Sequence, residues 1–220
     1  MAGNLQIDVG FSRPAMIVIV SLAFLSRAVP LPAWQVYTFR DGAFVNLPTQ
    51  EITFPPLPAS EFLLPVVPPD WDVTAATLAD ATGDGKAEWV LLVRRPWRDW
   101  PIQEWSSASS PIADFHDAAG DSCHLILLDP ESGREIWAGS ALPAPLLALA
   151  VGDVDGDDIN EVVTLEGNYD AGWDGPASHV DVWQWNGFGF SLEWRSPAGA
   201  FRQISLTSTA SRETPSIAVR

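Results

Sequence analysis

The chain has 220 residues, 47% hydrophobic and 18% charged, enough for one sizeable core and inconsistent with a disordered class. Its formal net charge is −16 and Lys86 is its sole lysine, so a phosphate backbone would be repelled and nucleic-acid binding is not expected. The 19 prolines, 16 glycines and 11 tryptophans suit short strands joined by turns, and one cysteine, Cys123, leaves no intramolecular disulfide; its expected role is a small buried residue beside a strand.

In chain order, the apolar run Met16–Leu25 comes first. It is similar to the apolar region of a signal peptide, but it is too short to span a bilayer, and Arg13 against Asp8 makes a weak basic leader. Its β-branched content fits a buried strand equally well. Next, Trp34–Phe39 and Ala43–Val45 flank Asp41-Gly42, a dipeptide that favours tight hairpins because both residues tolerate positive φ. The same pattern is expected at His124–Leu128 and Arg134–Trp137, around a turn near Asp129–Gly133, and at Val180–Trp185 and Phe188–Phe190 around Asn186-Gly187.

Two acidic stretches stand beside apolar runs. Asp80–Glu88 leads into Trp89–Val93, and Asp153–Glu161 lies between Leu146–Val151 and Val162–Leu165. A shift of 73 residues carries Asp80, Asp84 and Glu88 onto Asp153, Asp157 and Glu161, and a shift of 72 carries Asp8 onto Asp80. A shorter shift of 55, from Asp153 to Ser208, sets Phe201–Leu206 and Ile217–Val219 where the earlier repeats have the strands flanking the loop. The approximate repeats are 1–60, 61–140, 141–198 and a partial 199–220, each reading strand, acidic loop, strand, variable connection, hairpin. In the first copy the loop positions after Asp8 are Gly10, Ser12 and Met16, and in the last they are Ser208, Ala210, Arg212 and Ser216, so neither is expected to bind a cation.

Calcium takes about six to eight oxygen ligands, and a tight loop supplies them from positions 1, 3 and 5, a backbone carbonyl at 7 and a final acid. In the later loop these are Asp153, Asp155, Asp157, the Ile159 carbonyl and Glu161. In the earlier loop they are Asp80, Thr82, Asp84, the Lys86 carbonyl and Glu88, Thr82 binding by its hydroxyl or through water. So many carboxylates held together repel one another or take up protons, and a divalent cation removes that conflict. The plainer reading of either stretch is an acidic surface turn, since Asp and Gly are ordinary turn formers.

The later loop resembles the FG-GAP repeat, whose pattern Asp-x-Asp/Asn-x-Asp-Gly-x-x-Asp is met by Asp153, Asp155, Asp157 and Glu161, with Asp158 where glycine is usual. The earlier loop keeps Asp80, Asp84, Gly85 and Glu88 and departs at Thr82. The flanking runs are short and β-rich, unlike the helices around a dockerin or EF-hand loop of the same spacing. The resemblance implies an all-β fold: a β-propeller-like array of four-stranded antiparallel blades, incomplete or open, with three repeats plus part of a fourth. It also implies Ca2+ at Asp153–Glu161, a second ion at Asp80–Glu88, and a calcium-rich extracellular or cell-envelope setting. An open blade end would invite a partner chain or self-association.

Arg94–Trp105, followed by the Ser-rich Ser106–Ser110, reads as a long loop. Its Trp97, Trp100 and Trp105 suit recognition of protein or glycan, or else fold back over the blade with arginines stacked on them. Gly167–Gly175 reads as a turn with solvated Asp170 and Asp174, or one that approaches the calcium loop. His116, His124 and His179 are scattered, and His116-Asp117, being adjacent, would face opposite ways on a strand. The expectation is a non-enzymatic, calcium-stabilised module that presents loops for protein or glycan binding. The alternatives are a glycan-binding or glycan-cleaving domain on the Trp-rich loop, and a structural fragment of a larger propeller assembly.

Overall fold

The computed structural model describes residues 33–47, 66–97, 115–207 and 214–220. Met16–Leu25, the loop copy at Asp8, Trp100, Trp105, Ser208, Ala210 and Arg212 fall outside them. The strands are β1 (Gln35–Arg40), β2 (Ala43–Leu47), β3 (Asp72–Ala79), β4 (Glu88–Pro96), β5 (Asp121–Leu128), β6 (Glu135–Ala138), β7 (Leu146–Gly152), β8 (Glu161–Glu166), β9 (His179–Trp185), β10 (Phe190–Arg195), β11 (Ile204–Thr207) and β12 (Ser216–Val219). They form three four-stranded antiparallel sheets, so the fold is all-β. The first sheet has the order β3-β4-β5-β6, the second β7-β8-β9-β10 and the third β11-β12-β1-β2.

Central strands of the first two sheets are apolar on both faces, because each sheet is covered on both sides. In β4, Val90 and Leu92 turn one way and Trp89, Leu91 and Val93 the other, and all five are buried. Val90 and Leu92, with Cys123, Leu125 and Leu127 of β5, pack against Leu146 and Val162 of the second sheet. On the far face of that sheet Val163, Leu165, Val180 and Val182 meet Tyr37, Ile217 and Val219 of the third, together with Phe201. Each such side chain withdrawn from water stabilises the fold by about 1.5–3 kcal/mol. The sheets are thus stacked face to face, with β7 beside both β3 and β11.

The repeat extends to fine structure. A bulge between Val73 and Ala75 in β3 recurs between Leu146 and Ala148 in β7, again 73 residues on. The three hairpins form at the places the turn residues indicate. Asp41 and Gly42 both take positive φ, 51° and 81°, the backbone a two-residue hairpin needs. The Asn186-Gly187 turn is wider than expected: β10 begins at Phe190, and Asn186 Oδ1 accepts from the N–H groups of Phe188 and Gly189 across the loop.

Two expectations change. Arg94, Arg95 and Pro96 belong to β4, paired with Cys123, Ser122 and Asp121, so the connection is shorter than the composition suggests. The tail does pair as β11 and β12, but its sheet is not left without a hairpin: β1 adds to β12 through Gln35↔Val219, Val36↔Ala218 and Tyr37↔Ile217. The opening hairpin and the closing strands therefore share one sheet.

Candidate metal centre

Each acidic loop joins the first two strands of its sheet, and the two loops share most of their internal bonding. Asp80 Oδ1 accepts from Gly83 N and Asp84 N and its Oδ2 from Gly85 N, as Asp153 accepts from Gly156 N, Asp157 N and Asp158 N. Lys86 N donates to Asp84 Oδ1, and Ile159 N to Asp157 Oδ1, both at 2.9 Å. The closing glutamate reaches back across each loop, Glu88 Oε2 accepting from Ala81 N at 2.9 Å and Glu161 Oε2 from Val154 N at 2.8 Å. These bonds need left-handed backbone at two places in each loop, which Gly83 and Gly85 supply in one, Gly156 and Asp158 in the other. Asp158, at φ 68°, adopts the conformation expected of the missing glycine.

Carboxylate oxygens converge as a result. Those of Asp80, Asp84 and Glu88 lie within 4.8 Å of one another, as do those of Asp153, Asp155 and Glu161. Like charges at that separation repel by about 3 kcal/mol at an effective dielectric near 20. The glutamates sit deepest: Glu88 is 2% exposed and Glu161 1%. Burial raises the Glu161 carboxyl to about 7, partly offset by the Val154 N–H and reinforced by Asp155, Asp157 and Asp153. Burial chiefly raises Glu88 as well, and burial with Asp157 raises Asp155. Oxygen donors of net negative charge, buried on one side and without a cationic side chain among the bonds described, fit a hard divalent cation.

The two clusters differ in which loop positions converge. Thr82 stands where Asp155 does, and its hydroxyl donates to Glu88 Oε1 at 3.3 Å. Asp157, expected among the ligands, is outside the converging trio; Gln184 of β9 donates to its Oδ2 at 3.0 Å and to Glu161 Oε1 at 3.4 Å. Gln184 was not singled out from sequence, although the Val162↔Trp183 register sets it opposite Glu161. Asn160 was also missed: its side-chain N–H donates to the Asp80 carbonyl at 2.8 Å and ties the two loops together.

The other residues singled out from sequence lie elsewhere in the fold. Trp97 leaves β4 with its ring 5.8 Å from that of His116. Arg94 pairs with Asp72 at 2.5 Å and lies over Trp173, and Arg95 lies over Trp71, so arginines stack on tryptophans outside the expected three. The His116 Nδ1 meets the Asp117 carbonyl, while Asp117 accepts from Ala119 N, Asp121 N and Trp173 Nε1. Trp173 and Tyr169 belong to the Gly167–Gly175 connection, which folds onto the first sheet, while Asp170 and Asp174 are exposed as expected. His124 is 3% exposed, bonded to Ser122 Oγ and the Gly139 carbonyl, and burial lowers it to about 4. Cys123 is buried in β5, where burial raises its thiol to about 12. Comparison of the chain with protein-family models, with curated proteins and with solved structures finds no match, so the FG-GAP resemblance rests on the loops' own residues.

Proposed function

We propose that this chain is a non-enzymatic, calcium-stabilised repeat module of the FG-GAP type, in which each sheet is a propeller-like blade, and that it presents its loops for protein or glycan binding. One observation carries the reading: two loops that share most of their bonding each gather three carboxylates within 4.8 Å around a buried glutamate. Asp153, Asp155 and Glu161 hold one ion and Asp80, Asp84 and Glu88 the other. Asp157 and the Thr82 hydroxyl, with the carbonyls of Ile159 and Lys86, complete the two sets. A bound ion supplies charge neutralisation and so fixes the turn between the first two strands of a blade. The setting is calcium-rich, outside the cell or in its envelope.

At about 1 mM calcium and a dissociation constant of about 0.1 mM, each site contributes about 1.4 kcal/mol. For a chain of this size that raises the melting temperature by roughly 3–6 °C per site. Thermal melts in calcium and in chelator test the reading; equal midpoints would sink it.

A further inference from the structure

The third sheet is closed by a seam between the chain's two ends. The β1–β12 ladder runs from Gln35↔Val219 to Tyr37↔Ile217, shorter than that of β4 and β5, from Trp89↔Leu128 through Pro96↔Asp121, or of β8 and β9, from Val162↔Trp183 through Glu166↔His179. By contrast the β1–β2 hairpin is well made within itself, paired from Val36↔Leu47 to Arg40↔Ala43 around its Asp41-Gly42 turn. Beyond the seam its main anchor is aromatic. Tyr37 and Phe44 stand 5.1 and 4.8 Å from Trp194 of the second sheet.

We propose that the β1–β2 hairpin is an exchangeable module, and that the β12 edge of one copy of this chain accepts the hairpin of a second copy. A hairpin that keeps its own ladder leaves as a unit. Its departure exposes Ile217, Ala218 and Val219, an open strand edge that templates further pairing. The segment that matches that edge at every position is another copy of residues 35–47, so reciprocal exchange makes a symmetric dimer with no contact that the monomer lacks. The connection of 18 residues between the hairpin and the next described segment, 48–65, gives the monomer a high local hairpin concentration. Exchange therefore needs concentrated protein and an unfolding step.

Full-length chains carrying Val36→Cys are mixed with full-length chains carrying Ala218→Cys, unfolded, refolded together at high protein concentration and oxidised. These residues face each other across the seam, within the span of a disulfide. The mixed disulfide-linked dimer is expected above its statistical share relative to the two same-variant dimers, because only the mixed pair brings both thiols to one seam. A statistical distribution would overturn the proposal. Unmodified chain, unfolded and refolded at the same concentration under reductant so that Cys123 stays a thiol, supplies a second readout that no disulfide can perturb. Light scattering should find a dimer that persists on dilution and reverts to monomer only after another unfolding step, and monomer at every concentration would contradict it.

Discussion

Asp158 is a residue whose side chain and backbone are at odds. Its φ of 68° is reached by glycine without a Cβ penalty, so Asp158→Gly should raise stability by up to about 1 kcal/mol, and Asp158→Val should lower it by about 1–2 kcal/mol, as read in urea unfolding. Two buried titratable residues oppose each other. Glu161, raised from 4.5 to about 7, favours folding below pH 4.5 and loses that contribution as pH rises through 7. His124, lowered from 6.5 to about 4, favours folding above pH 6.5 and loses its share as pH falls through 4. Each is worth about 3 kcal/mol. In chelator these two offset one another, and with Glu88 and Asp155 also raised, stability should stay level or rise slightly from pH 7 to 4.5. With calcium holding Glu161 ionised, acid displaces the ion and its stabilisation while the His124 contribution is also lost, and the urea midpoint should fall steeply over the same range. The converging carboxylates of each loop could be read from spacing because a turn brings nearby residues together, whereas Gln184 and Asn160 reach the loops through strand register and sheet stacking, which spacing does not encode.

Among the elements, the Gly167–Gly175 connection does more than join strands. The Tyr169 hydroxyl accepts from Cys123 N at 2.9 Å and donates to the Leu142 carbonyl at 3.0 Å, and the Trp173 indole N–H donates to Asp117 at 2.7 Å. A segment of the second sheet thereby satisfies backbone groups of the first and of the chain that follows it. Removing the hydroxyl with Tyr169→Phe leaves a donor and an acceptor without that partner, at a cost of about 1–3 kcal/mol in urea unfolding. Composition suggested a long loop beginning at Arg94, since charged and proline-rich residues favour loops. Tertiary partners decide otherwise: Arg94 is held in β4 by Asp72 and by Trp173, contacts between residues far apart in sequence.

For the whole molecule, the three-sheet arrangement was partly legible. Turn dipeptides marked the hairpins, apolar runs marked the central strands, and the 73-residue shift marked the equivalence of two sheets down to their bulges. What local pattern does not contain is which hairpin completes the tail, because β1 and β12 are at opposite ends of the described chain. Deleting residues 216–220 removes the strand between β11 and β1 and should abolish cooperative unfolding, read by near-ultraviolet circular dichroism. The two acidic loops hold equivalent positions in the first and second sheets, and their carboxylate trios give the molecule its principal chemical feature. Calorimetric titration of calcium into the metal-free chain tests that feature most directly. Two ions per chain are expected, one after Glu161→Gln and none after Glu161→Gln with Glu88→Gln; no binding at millimolar calcium, or binding unchanged in these variants, would contradict the account.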